Sequence, residues 1–271
     1  MSDLTLFSVI DNEKYEKFVI PFIFFPLASN YNVKVEVHIK SFSDFMLRYA
    51  DALELLEMYF PKRFALYPLE GEYFNVVPCG STARFFTKPF TTSKWTKISD
   101  IDIMHVEGNL VEDFDALERL APSAPYFALQ RQGKSKLSGT MCVKTQVFYS
   151  QQWERHVACY IQDVWENNKF RDKKPPFDEA QYYYDEFVNY DLVVPVHGLP
   201  EVIDNHDVRP IQGIHISPNR PAYPFPCQPD FPTWEITDER KKRTLDLMST
   251  RMFKALSNFI NSDMMNLLNQ I

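Results

Sequence analysis

Three stretches predict an α/β fold with a C-terminal amphipathic helix. They are the succession of strand, polar turn and apolar helix over Leu4–Leu27, the hydrophobic run Trp95–His105, and the helical spacing of apolar residues from Arg240 to Leu268. With 45% hydrophobic and 15% aromatic residues, the 271-residue chain has enough apolar surface for one large domain. A formal net charge of −7 argues against a nucleic-acid partner, because phosphate backbones select basic surfaces. An anionic ligand would need a local basic pocket or a metal. The cysteines, Cys79, Cys142, Cys159 and Cys227, lack the close pairs of a zinc site and the density of a disulfide scaffold, so reduced thiols are expected. The opening Met1-Ser2-Asp3-Leu4 has no basic segment leading into an apolar run, and no later stretch is apolar enough to cross a bilayer. The expected location is the cytoplasm, with peripheral membrane contact as the alternative.

In chain order, Leu4–Ile10 reads as the first strand, Asp11-Asn12-Glu13-Lys14-Tyr15 as a polar turn, and Phe18–Leu27 as an apolar helix. Ligands of open α/β sheets sit beyond the carboxyl ends of strands, which makes Asp11, Asn12 and Tyr15 candidates for binding. A helix-capping role for Asp11 or Asn12 has equal standing. Val33–Ile39 alternates with period two, the pattern of a strand with one solvated face, and His38 falls on the polar side. Phe42–Tyr59 carries helical spacing and Pro61 ends it. Phe64–Leu69 is a short strand. The segment Cys79-Gly80-Ser81-Thr82-Ala83-Arg84-Phe85-Phe86 sets an arginine among aromatics, where it needs an anionic partner, either a structural aspartate or a ligand phosphate.

In Trp95–His105, Ile98, Ile101, Ile103 and Met104 suit a buried strand, yet Asp100 and Asp102 interrupt it. Residues two apart on a strand face the same way, about 6.6 Å apart, so both carboxylates would point at one spot. Their repulsion is relieved by a hard divalent cation, Mg²⁺ or Mn²⁺, which takes oxygen ligands at about 2.1 Å and keeps positions open for phosphate oxygens. Hydrated carboxylates at a strand end are the plain alternative. Beyond this run, Leu110–Leu120 reads as a surface helix, Tyr126–Gln130 and Leu137–Val143 as strands, and Gln146–Trp165 as a helix. Ser138-Gly139 stands inside a strand, where glycine often marks close approach of a ligand or backbone. Tyr182-Tyr183-Tyr184-Asp185-Glu186 begins another helix, whose N-terminus favours the acidic pair. Residues 197–230 read as irregular loop.

Taken together, these pieces resemble a glycosyltransferase of the GT-A fold, most like the retaining family that includes glycogenin and lipopolysaccharide galactosyltransferases, as a divergent member. The resemblance spans Leu4 to Arg220 and implies a Rossmann-like mixed sheet flanked by helices. Val9-Ile10-Asp11-Asn12-Glu13-Lys14-Tyr15 is similar to the family's first strand and base-binding turn. Thr82-Ala83-Arg84-Phe85 is similar to its arginine segment, and Ser99-Asp100-Ile101-Asp102 to its metal-binding Asp-x-Asp. Leu137-Ser138-Gly139, followed by Trp153, resembles the strand and helix that line the donor sugar, with Leu137 where asparagine is expected. Asp185-Glu186 resembles its Asp-Gln pair, and Gly213-Ile214-His215 with Arg220-Pro221 its late metal histidine and diphosphate-gripping basic residue.

The resemblance implies metal ligands Asp100, Asp102 and His215, and catalytic roles for Asp185 and Glu186. It also implies donor contacts from Asp11, Asn12, Tyr15, Arg84, Ser138, Gly139 and Arg220. The implied cofactor is Mn²⁺, or Mg²⁺, since imidazole suits manganese better. The implied activity is transfer of a sugar from a nucleoside diphosphate sugar, a UDP-sugar by preference, to a glycan or lipid-linked glycan acceptor with retention. On the residues alone, a lone histidine such as His215 is more often a surface group, with His197 and His206 as substitutes. The competing readings are a non-catalytic nucleotide-sugar-binding or carbohydrate-binding protein and a metal-dependent nucleotidyltransferase. Residues 1–235 form the expected catalytic domain; residues 236–271 form a helical extension that packs on the body or on a second copy in a homo-oligomer.

Overall fold

The computed structural model describes residues 3–70, 82–130, 137–167, 188–199, 213–216, 237–269 and 271. Its first half runs β1 (Leu4–Ile10), a 3-10 helix (Glu13–Phe18), α1 (Val19–Ser29), β2 (Val33–Ile39), α2 (Phe42–Arg48), α3 (Ala50–Tyr59), β3 (Phe64–Pro68) and α4 (Ala83–Phe86). Then come β4 (Trp95–Ile98), β5 (Ile103–Met104), α5 (Leu110–Leu120), β6 (Tyr126–Gln130), β7 (Leu137–Lys144), α6 (Thr145–Phe148) and α7 (Gln151–Asn167). The described remainder is a helix over 188–197, here α8, then β8 (Ile214–His215), α9 (Asp238–Ser249), α10 (Arg251–Leu256) and α11 (Ser262–Leu268).

The six-stranded sheet has the order β3-β2-β1-β4-β7-β6, and a second sheet pairs β5 with β8. Strands β3, β2, β1 and β4 are parallel, whereas β7 is antiparallel to both β4 and β6. A parallel core strand covered on both faces needs apolar residues throughout, and β1 is buried at every position. Leu4, Leu6, Val35, Val37 and Trp95 feed one core with α1, α3, α5 and the C-terminal helices. Phe7, Val9, Ile98, Met141 and Val143 feed the other, under α4, α6, α7 and α8. Helix α1 is buried from Val19 to Leu27, as a helix apolar all round must be. Phe253 of α10 packs on its Phe24 and Phe25 rings at 5.2 and 5.7 Å, and Met264 and Leu268 of α11 join the same core. Among the described residues no helix is long and apolar enough to cross a membrane.

Several expected elements are corrected. The Phe42–Tyr59 helix divides at Tyr49, and the Gln146–Trp165 helix divides into α6 and α7 around Ser150. The C-terminal stretch is three helices, because Thr250 and Asn261 cap new N-termini by accepting the Phe253 and Asp263 amides. The polar turn after β1 is a 3-10 helix. His38 is no solvated side chain: both faces of β2 are covered, and His38 is 2% exposed. Its Nε2 lies 2.7 Å from Glu36 Oε1, and the Glu36 carboxylate accepts the Phe90 and Thr91 amides at 2.7 Å each. Burial would raise the Glu36 pKa, but the hydrogen bonds from His38, Thr91 and Phe90 outweigh it and hold the carboxyl below its ordinary value. Helix Tyr182–Phe187 falls outside the described residues, and the expected loop from 197 starts as the end of α8.

Candidate active site

The parallel strands β1 and β4 end side by side, and their carboxyl ends carry the residues of interest. Pairing of β4 with β1 runs to Phe7–Ile98, and the Ser99 amide donates to the Phe7 carbonyl at 3.0 Å. There the expected single strand Trp95–His105 breaks. Asp100 and Asp102 lie in a turn between β4 and β5, closed by the Ile103 amide donating to the Asp100 carbonyl at 3.2 Å. They therefore share a turn and not one face of a strand. The correction follows from the charges themselves, since two carboxylates resist continuation of the ladder inside a sheet covered on both sides.

Asp100 Oδ1 accepts from Arg84 Nη2 at 2.6 Å, with side-chain exposures of 27% and 4%. Of the two partners expected for Arg84, the structure thus provides the aspartate. The arginine lies on α4, its guanidinium 4.7 Å from the Phe85 ring centroid, so the apolar neighbours that make the sequence unusual also fix its direction. Asp102 is 8% exposed, and its carbonyl accepts the Ile216 amide at 2.9 Å.

That last bond belongs to the ladder that brings in the late segment. Antiparallel pairing sets His215 opposite Ile103 and Ile214 opposite Met104, so the His215 backbone stands beside the residue that follows Asp102. Gly213 makes this approach possible. Its φ is +77°, and a Cβ there would lie 2.7 Å from both Ile103 Cγ2 and the Met104 carbonyl and 2.8 Å from His105 Nδ1. Of His215 the backbone alone is described, and among the described side chains no trio of His, Cys, Asp or Glu is gathered around one point. The two carboxylates of the turn are oxygen donors of the kind that a hard divalent cation such as Mg²⁺ or Mn²⁺ accepts.

Asp11 and Asn12 follow directly on β1 at the same end. Asn12 Oδ1 accepts the Lys14 amide at 3.0 Å, so it caps the 3-10 helix, and Tyr15 is 42% exposed. Ser138 and Gly139 lie in β7, with the backbone alone described; Asp185, Glu186, Arg220 and His206 lie outside the described residues. His197 packs elsewhere, stacked on Phe148 at 4.6 Å and near Tyr126, which pairs through Val143 with the amino end of β4. Burial lowers its imidazole pKa to about 4.

Two residues of this region carry no expected role although the sequence displays them. His105, fully buried, follows Ile103-Met104 in an apolar run. Lys97, in the middle of β4, is 1% exposed, its Nζ has no hydrogen-bond partner among the described residues, and burial lowers its pKa to about 8. A lysine or histidine inside such a run is the signal that locates both.

No family model matches this chain, and no curated protein sequence matches it. Solved structures do match, 43 chains in all. Among them is the glycosyltransferase GlyE of Streptococcus pneumoniae, 12% identical with a TM-score of 0.50; its apo form is 11% identical with a TM-score of 0.48. Each alignment covers 100% of this chain and 63% of the GlyE chain. The chain therefore spans under two thirds of the length of the enzyme whose fold it shares. Its six-stranded mixed sheet flanked by helices is a GT-A-like fold.

Proposed function

We propose that this protein is a metal-dependent glycosyltransferase that moves a sugar from a nucleoside diphosphate sugar, of the UDP class, to a hydroxyl of a glycan acceptor with retention of configuration. The observation that supports the reading is the Asp100–Asp102 turn, set at the carboxyl ends of two parallel strands, held by Arg84 and bonded through the Asp102 carbonyl to the Ile214–Ile216 segment. Open α/β sheets bind ligands at that end. The GT-A-like fold supports the reaction class.

Asp100, Asp102 and His215 would hold the cation, Mn²⁺ or Mg²⁺. When bound, such an ion supplies Lewis-acid neutralisation of the charge that grows on a departing diphosphate. The chain's own residues do the rest. Arg84 fixes one oxygen of Asp100 and adds positive charge at the carboxyl end of the central strands. Arg220 is assigned to the diphosphate, and Ser138 and Gly139 to the donor sugar. Asp11, Asn12 and the exposed ring of Tyr15 are assigned to the nucleoside. Asp185 and Glu186 orient the sugar and stabilise positive charge at its anomeric carbon.

The test is donor hydrolysis with Mn²⁺, preceded by a thermal-shift screen of nucleoside diphosphates with and without the ion. Release of a nucleoside diphosphate, lost in Asp102→Ala, is the expected result. Pyrophosphate release from a nucleoside triphosphate would mark a nucleotidyltransferase, and binding without turnover across donors and acceptors would mark a non-catalytic binder.

A further inference from the structure

The turn that carries Asp100 and Asp102 is held from inside by a histidine to which no role has been assigned. His105 is 0% exposed, and its Nε2 lies 3.2 Å from Ser99 Oγ. Ser99 Oγ in turn donates to the Asp100 carbonyl at 3.2 Å. A hydroxyl has one proton to give, so with that proton spent on Asp100 the serine accepts from the N–H of His105 Nε2. The chain of donors thus runs from imidazole to hydroxyl to the backbone of the first aspartate. Ser99 is pinned from the sheet as well, its carbonyl accepting Ser8 Oγ at 2.8 Å.

The other side of the imidazole meets the second segment. A Cβ on Gly213 would fall 2.8 Å from His105 Nδ1, so the Gly213 backbone is pressed against the ring. Phe22 of α1 closes the pocket edge-on, its ring centroid 6.2 Å away. One buried ring therefore touches both segments proposed to carry the cation ligands.

Resting on the proposed cation site, we infer that His105 is a positioning residue: through Ser99 it sets the Asp100–Asp102 turn, and through its contact with Gly213 it sets the His215 strand against that turn. A polar ring earns its place in an apolar pocket only if its hydrogen bond is used, since leucine would pack there without one. Groups that orient ligands from behind typically change metal affinity 10–100-fold when removed.

The experiment is Mn²⁺ titration of the full chain by calorimetry, with urea unfolding of the metal-free protein alongside. His105→Leu should keep the unfolding midpoint and weaken Mn²⁺ at least about tenfold, whereas His105→Gln, whose amide can donate to Ser99, should recover most of the affinity. A role in packing alone would rank the two variants the other way. Amide exchange supplies a readout that needs no metal: the Ile103 and Ile216 amides, which close the turn and the ladder, should exchange faster in His105→Leu. Should His105→Leu fail to fold, Ser99→Ala removes the same hydrogen bond and is expected to weaken Mn²⁺ likewise. Unchanged affinity and unchanged exchange in these variants would overturn the inference while leaving the cation site standing. No Mn²⁺ uptake by the unaltered chain would overturn the cation site and the inference with it.

Discussion

Glu36 and Asp100 are both carboxylates in the sheet region, and the protein treats them in opposite ways. Glu36 is 0% exposed and accepts two backbone amides and stands against an imidazole; all of its capacity is turned inward, to clasp the segment between α4 and β4. Asp100 stands in a turn with 27% of its side chain exposed, and one arginine steadies it. The contrast separates a fully buried carboxylate that clasps the fold from a partly exposed one held in a turn. Burial makes the distinction, and sequence hydropathy does not, since both acids stand within apolar runs of the sequence.

The sharpest way to break the comparison is to neutralise each member. Asp102→Asn, in the same turn as Asp100, should cut metal-dependent donor turnover about a thousandfold while shifting stability by less than about 1 kcal/mol, as initial rates and urea melts will report. Glu36→Ala should do the reverse in kind, costing about 3–5 kcal/mol of stability because the Phe90 and Thr91 amides and the His38 ring lose their partner. A stability loss for Asp102→Asn as large as that for Glu36→Ala would erase the distinction.

Acid titration sharpens it further. The folded Glu36 pKa lies below its ordinary value of 4.5, so its contribution to stability is complete above that pH and is lost as pH falls through the lower folded value. Urea midpoints should therefore drop below pH 4.5 in the natural chain, and Glu36→Gln should lack that component.

The smallest effect concerns Lys97. Its folded pKa is about 8 against an ordinary value of 10.5, so the unfolded chain binds more protons between those values and stability rises with pH across the interval. Lys97→Met should be more stable at pH 7 by about 1–3 kcal/mol, an advantage that shrinks toward pH 10.5 in the same urea series. Equal stability at pH 7 would mean that the surrounding Glu107 and Asp113 carboxylates fully offset the burial of the ammonium.

The apolar runs determined the elements by themselves. Leu4–Ile10, Val33–Ile39 and Leu110–Leu120 announce strand or helix through their periodicity and length, because burying one face or two is a requirement written residue by residue. The candidate site was legible in the same way, as two aspartates in a run that should hold none. Tertiary structure alone decided where those charges lie. Only the parallel registry of β4 on β1 shows that the strand ends at Ile98 and turns at Asp100, and only the close approach allowed by Gly213 ladders residue 215 onto residue 103. Hydropathy likewise left His38 on a solvated face, since coverage depends on the segment near Phe90, more than fifty positions away in the chain. Local preference is a property of neighbours in sequence, whereas the partner of a buried polar group is chosen by whatever the fold brings within hydrogen-bonding distance.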